Sequence, residues 1–85
     1  MKTILAITAA IFAATPAFAY NYATRTWGDE ACRLFRQGYG LERGVRTAGT
    51  NVGSSIVLAS PKGEFRDYVM ATCLTDAMNA YDRDQ

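Results

Sequence analysis

The chain contains no histidine, only two cysteines, and no apolar run long enough to cross a bilayer. Each shortage removes a class of function. Without histidine there is no Ser-His-Asp triad, no Cys-His nucleophile pair and no Cys₂His₂ zinc finger. Two cysteines 41 positions apart make neither a four-cysteine metal site nor a C-x-x-C redox motif, so no cofactor or metal is expected. Gly38-x-Gly40-x-x-x-Gly44 fails the G-x-G-x-x-G phosphate fingerprint and follows no strand. The carboxylate pairs Asp29–Glu30, Glu64–Asp67 and Asp82–Asp84 read as solvated helix ends rather than acid–base pairs. At 85 residues the chain holds one small domain. These exclusions point away from an enzyme.

What is present begins with an address. Lys2 supplies a positive start, Ile4–Ala14 is apolar apart from Thr8, Pro16 stops a helix, and Ala17-Phe18-Ala19 is an A-x-A cleavage site. Residues 1–19 are therefore expected to be a secretory signal peptide, which takes the protein to the periplasm or the exterior. The apolar run falls short of the roughly 20 residues a membrane span needs. No cysteine stands directly after the cleavage site, so lipid attachment is not expected. Removing Lys2 lowers Lys+Arg from 9 to 8, equal to the 8 Asp+Glu, and the mature chain is neutral. That balance gives no basic footprint for nucleic acid and no polybasic cluster for anionic lipid.

A mature chain of this size buries only about 60% of its unfolded surface, so its core alone is marginal. Exported domains commonly compensate with disulfides. Cys32 and Cys73 allow one intramolecular pairing. It closes a loop of about forty residues, for which chain entropy gives ~4 kcal/mol.

Tyr20–Thr26 shows no usable periodicity and is predicted to be an extended arm, with residues 20–28 set apart from a helical domain over 29–85. Asp29 after Gly28 is the predicted N-cap of a first helix, Asp29 to Ala48, with Gly49 at its C-cap. Gly38, Gly40 and Gly44 weaken that helix; the spacing favours continuity over a break near Gly38-Tyr39-Gly40, with Gly40, Gly44 and Ala48 forming a small-residue face. A short buried helix is predicted from about Val52 to Ala59. Ser60-Pro61 then starts a helix to about Asp82, in which Phe65, Val69, Cys73, Ala77 and Tyr81 recur every fourth position. Tyr68, Leu74 and Met78 lie on flanking rows, and the tail 83–85 is expected to fray.

The predicted fold is all-α: a small disulfide-tied antiparallel helical hairpin with a short third helix. The bridge would clamp the two cysteine-bearing helices side by side, over a core of Cys32, Phe35, Tyr39, Val45, Ile56, Leu58, Phe65, Val69, Cys73, Ala77 and Trp27. Arg33, Arg36, Arg43 and Arg46 make a local basic run. With Trp27 and Tyr39 beside them, Arg33, Arg36 and Arg43 are the candidate partner-binding residues, because aromatics and arginine are favoured at interfaces.

The signal peptide, Trp27 shortly before the first cysteine, Cys32-x-x-Phe35, and a helix bearing Cys73 with Asp76 and Tyr81 after it resemble the periplasmic acid-stress chaperones of the HdeA type. The resemblance covers the two cysteine-bearing helices and implies a small helical protein held by one disulfide. The glycine-rich first helix and shorter central part depart from it. The arrangement Cys32…Gly38-Tyr39-x-x-x-x-Gly44 is also similar to secreted immunity proteins of type VI effectors, without their usual further cysteines. The expected function is that of an exported, non-enzymatic protein-binding protein, with the chaperone and immunity roles as alternatives.

Overall fold

Residues 20–85 are described by the computed structural model; the expected signal peptide, residues 1–19, lies outside them. The class expected from the sequence holds: the described residues form four helices and no strand, closed by Cys32–Cys73. In chain order these are α1 (Tyr22–Arg36), α2 (Leu41–Val52), α3 (Ser54–Ala59) and α4 (Lys62–Arg83).

The residues expected to be an arm are the first turns of α1. Asn21 sits in an extended conformation, and its side-chain oxygen accepts the Thr24 N–H at 2.7 Å, an N-cap the sequence reading placed at Asp29. Asp29 lies in mid-helix, where its carboxylate accepts the Tyr68 hydroxyl. Gly28, read as a boundary, is helical and buried because the Tyr68 ring lies directly over it; an added Cβ would collide with Tyr68 Cδ2. The apolar face of α1 uses small residues, Ala23 and Ala31, in step with Trp27, Leu34 and Phe35.

The expected continuous helix breaks after Arg36. The Gly38 N–H donates to Phe35 O at 3.0 Å and the Tyr39 N–H to Leu34 O at 3.1 Å, the paired bonds of a Schellman ending. Gly38 takes φ +103°, a conformation that suits glycine and strains L side chains. The break reverses the chain, so α2 runs back along α1. Gly44 and Ala48 of the expected small-residue face are indeed buried there.

This turn also corrects the pairing of the cysteine helices. The antiparallel hairpin is α1–α2, with Phe35 near Gly44 and Trp27 near Gly49. After α2 returns and the six-residue α3 turns the chain, α4 runs in the same direction as α1. Successive contacts rise together: Asn21 and Thr24 meet Glu64, Asp29 meets Tyr68, Cys32 bonds to Cys73, and Arg36 meets Asp76. The disulfide thus joins parallel helices, with Cα atoms 6.0 Å apart.

Both ends of this parallel pair are clipped. At the start, the Glu64 carboxylate accepts from the Asn21 N–H at 3.0 Å and the Thr24 hydroxyl at 2.7 Å. Thr24 has one hydroxyl proton, given to Glu64, so Ser60 is the donor in their 2.8 Å hydroxyl pair. Ser60, expected to cap α4, is spent on this contact, and Pro61 is the capping position. At the far end the tail does not fray. Arg83 Nη1 donates to the carbonyls of Phe35 and Tyr39 at 3.1 and 3.2 Å, and Asp84 Oδ2 accepts the Glu42 N–H at 3.0 Å. A cation thus meets the carbonyl end of α1 and an anion the N–H end of α2, which has no side-chain cap of its own. Arg83→Ala and Asp84→Ala are each expected to cost about 1 kcal/mol, or roughly 4–8 °C in Tm, while Gln85→Ala leaves the melt unchanged. Thermal melts followed by circular dichroism check this.

Two further expectations shift. Leu58, placed in the core, is 85% exposed, while Ile56 and Val57 pack partly against it. In α4, Cys73 takes non-helical φ −144° and ψ 50°, and the helix bends there. Beyond the bend Ala77 and Ala80 face inward, and Tyr81, expected to continue the buried row, is exposed. The expected Glu42–Arg46 pair forms at 2.7 Å between exposed side chains and adds little stability.

Candidate functional site

The start of α2 meets the end of α4, where Asp84 accepts the Glu42 N–H and lies against Gly40. Between the two helices lies an apolar groove of about 550 Å³, within the size range of ligand-binding clefts. Phe35, Val69 and Ala77 form its floor, Leu41, Val45 and Phe65 its α2-side and end walls, and Met70, Met78 and Tyr81 its α4 rim. Arg66 and Asp82 are the polar lining residues, one towards each end of α4. Methionine side chains adapt to irregular surfaces, and a rim of them suits apolar partners of varied shape. The lining offers burial and two opposite charges.

The residues expected to bind a partner do not make one surface. Trp27 belongs to the core: 6% exposed, it stacks on Phe65 with centroids 3.9 Å apart, and its indole N–H donates to Val45 O at 3.1 Å. An aromatic that fills the seam between α1, α2 and α4 is not free to meet a partner, and this part of the expectation is corrected. Arg33 pairs with Glu30, which also accepts from Asn51 of α2. Arg36 reaches instead from the end of α1 to Asp76 of α4 at 3.5 Å. Tyr39 is half-buried at the α1–α2 turn, with the Arg43 guanidinium 5.2 Å above its ring. Only Tyr39 and Arg43 are thus brought into direct contact. The basic run is divided among separate seams, and its charges are largely occupied.

The groove residues were missed as a site, although α4 carries their signal. Apolar residues occupy more of its circumference than one buried face needs. Besides Phe65, Val69, Cys73 and Ala77 there is a second row, Met70, Leu74 and Met78, all exposed.

Two hydrogen-bonded carboxylates, Glu64 and Glu30, shape the acid response. Hydrogen bonds from the Asn21 backbone and the Thr24 hydroxyl hold the Glu64 carboxyl below the usual glutamate range. The Arg33 guanidinium does the same for Glu30, aided by Asn51. Burial pushes the Tyr68 phenol up, and its bond to Asp29 acts in the same sense. A carboxyl whose value is depressed by folding stabilises the fold above its unfolded value of about 4.3 and loses that contribution as pH falls through the folded value. Stability should therefore decline as the pH drops below about 4.3, and Glu64→Gln should flatten that decline while lowering Tm at neutral pH. Equal acid slopes for both proteins in melts across that window would count against this role of Glu64.

Comparison with known proteins gives no match: no family model, no curated protein and no solved structure is similar to this chain. Among the described residues no helix is long and apolar enough to cross a membrane, and no cluster of His, Cys, Asp and Glu is arranged to hold a metal ion.

Proposed function

We propose that the protein is exported, with residues 1–19 as its cleaved signal peptide, and works in the periplasm or outside the cell as a non-enzymatic protein-binding protein. The observation that carries this reading is the apolar groove between α2 and α4, open along a methionine-lined rim. The Cys32–Cys73 bond supports export, because such bonds persist in oxidising compartments. So does the use of Tyr20, the first residue after the A-x-A site: its carbonyl accepts from Arg25, and its ring meets Tyr68 edge-on at 5.2 Å. The partner would present apolar side chains to the groove.

A photo-crosslinking residue at Met78, on the rim, tests this in the producing cell, with the same residue at exposed Gln37 as control. One heterologous adduct from Met78 and none from Gln37 is expected, on a chain whose intact mass begins at Tyr20. Identical adducts from both positions, or none from either, would overturn the reading.

The acid-stress chaperone reading is favoured by a separate observation. The start of α1 is fastened to α4 through the Glu64 carboxylate, so its protonation weakens the clip at that end of the bundle. Acid would also leave the mature chain near +8, which favours opening, while the disulfide keeps the helices joined. Suppression of client aggregation at about pH 2–3 and not at neutral pH is the expected behaviour; equal failure at both would remove this reading.

A further inference from the structure

The exposed row of α4 is symmetric. Arg66, Met70, Leu74, Met78 and Asp82 follow at intervals of four, so the two methionines flank Leu74 and opposite charges end the row. Met70, Leu74 and Met78 are 51%, 43% and 58% exposed. Arg66 and Met70 before the bend at Cys73 and Met78 and Asp82 after it line one groove, while Leu74, beside the bend, is exposed outside that lining. Among the described residues neither Arg66 nor Asp82 forms an ion pair, whereas Arg33, Arg36 and Arg46 all do.

We propose that this row is a self-recognition surface on which a second copy packs its α4 antiparallel, about a twofold axis passing through Leu74. In a twofold contact the same patch serves both copies, so it must be self-complementary. Antiparallel α4 helices related in this way place Leu74 on Leu74, each Met70 on the other copy's Met78, and each Arg66 opposite the other copy's Asp82. Rows of i, i+4 residues are the ridges that interdigitate in the commonest helix crossing. A parallel arrangement would set Arg66 against Arg66 and Asp82 against Asp82, so the end charges select the antiparallel register. Five side chains from each copy fall well short of the roughly 20–30 residues a side of a standard interface, so the dimer is reversible, with a dissociation constant on the order of micromolar. This goes beyond the protein-binding reading and does not rest on it: a second copy and a partner would compete for the same methionine rim, and the test uses one purified chain and no partner.

Sedimentation equilibrium of residues 20–85, which contain every core residue and cap described above, provides that test. The wild type is expected to move from monomer to dimer with concentration. Arg66→Glu sets a second carboxylate against Asp82, and Asp82→Arg sets two guanidinium groups together, so each variant alone should dimerise about tenfold more weakly or worse. An equimolar mixture of the two should associate as strongly as wild type, because in the mixed dimer each end pair carries one kind of charge from one variant and its opposite from the other. The double variant R66E/D82R should recover by the same logic. All of these side chains are exposed, and unchanged circular dichroism verifies the fold. A wild type that stays monomeric to about 1 mM overturns the proposal. So does self-association that is indifferent to both single charge reversals, or single variants that remain weak when mixed.

Discussion

Trp27→Ala is expected to bring the domain close to unfolding at room temperature. The side chain is 6% exposed, stacked on Phe65 of α4, and hydrogen-bonded to the Val45 carbonyl of α2. It therefore links three helices. Truncating a buried tryptophan costs about 3–5 kcal/mol, from lost transfer energy and the cavity left behind. Small domains have about 5–15 kcal/mol in all, and one this short belongs near the lower limit. Trp27→Phe keeps the stack and loses the indole N–H, so it should cost far less, about 1 kcal/mol from the hydrogen bond. Urea unfolding followed by far-ultraviolet circular dichroism separates the two. A Trp27→Ala midpoint close to wild type would mean that Trp27 is not the shared filler of these seams.

Removing the crosslink is the second large effect. Cys32→Ser with Cys73→Ser should lose about 2–5 kcal/mol, and reductant should do the same to the wild type. Both sulfurs are buried on facing helices, so the serine variant also leaves two hydroxyls with no water to bond. A pair of alanines would avoid that second penalty and isolate the chain-entropy part. The oxidised wild type should gain about 2 Da on reduction under denaturing conditions, one hydrogen for each sulfur. The clips at Glu64 and Arg83–Asp84 survive the substitution, so some helix should persist after cooperative melting is lost. A serine variant with the melting temperature of the wild type would remove the crosslink from the account.

The class of the fold was legible because it depends on patterns that tertiary context seldom reverses. The interval-of-four row through Phe65, Val69, Cys73 and Ala77 is the buried face of α4, and the two cysteines do pair. The direction of packing was not legible. It turns on Gly38, whose positive φ ends α1 and sends α2 back along it. Gly38-Tyr39 carries the ending's residue preferences, a glycine followed by an apolar group, but three nearby glycines allowed a small-residue face as well. The start of α1 was hidden for a related reason: Gly28 is small where Tyr68 of α4 approaches closely, Ala23 and Ala31 are buried beside it, and small residues give a weak periodic signal. Local preference was also a poor guide to the caps. Asp84 lies at the unfavourable end of its own helix and at the favourable end of α2, a relation that only the assembled bundle creates.

The candidate site divides in the same way. Composition suggested arginine and aromatic residues, and folding placed Trp27 inside and turned Arg33 and Arg36 to different neighbours. The second apolar row of α4 was visible, but its meaning depends on what packs against α4. With α2 shifted to one side, Met70, Leu74 and Met78 are left uncovered.

α1 and α4 run in the same direction, with the bridge between them and α2 returning alongside. Interproton contacts in a two-dimensional NMR spectrum of the oxidised protein test this arrangement most directly. Parallel cysteine helices give contacts from the Trp27 indole to the Phe65 ring, from Thr24 to Ser60, and from the Arg36 side chain to Asp76. Contacts from Thr24 or Trp27 to residues 80–84, with Arg36 near residues 62–66, would show the cysteine helices antiparallel and contradict it.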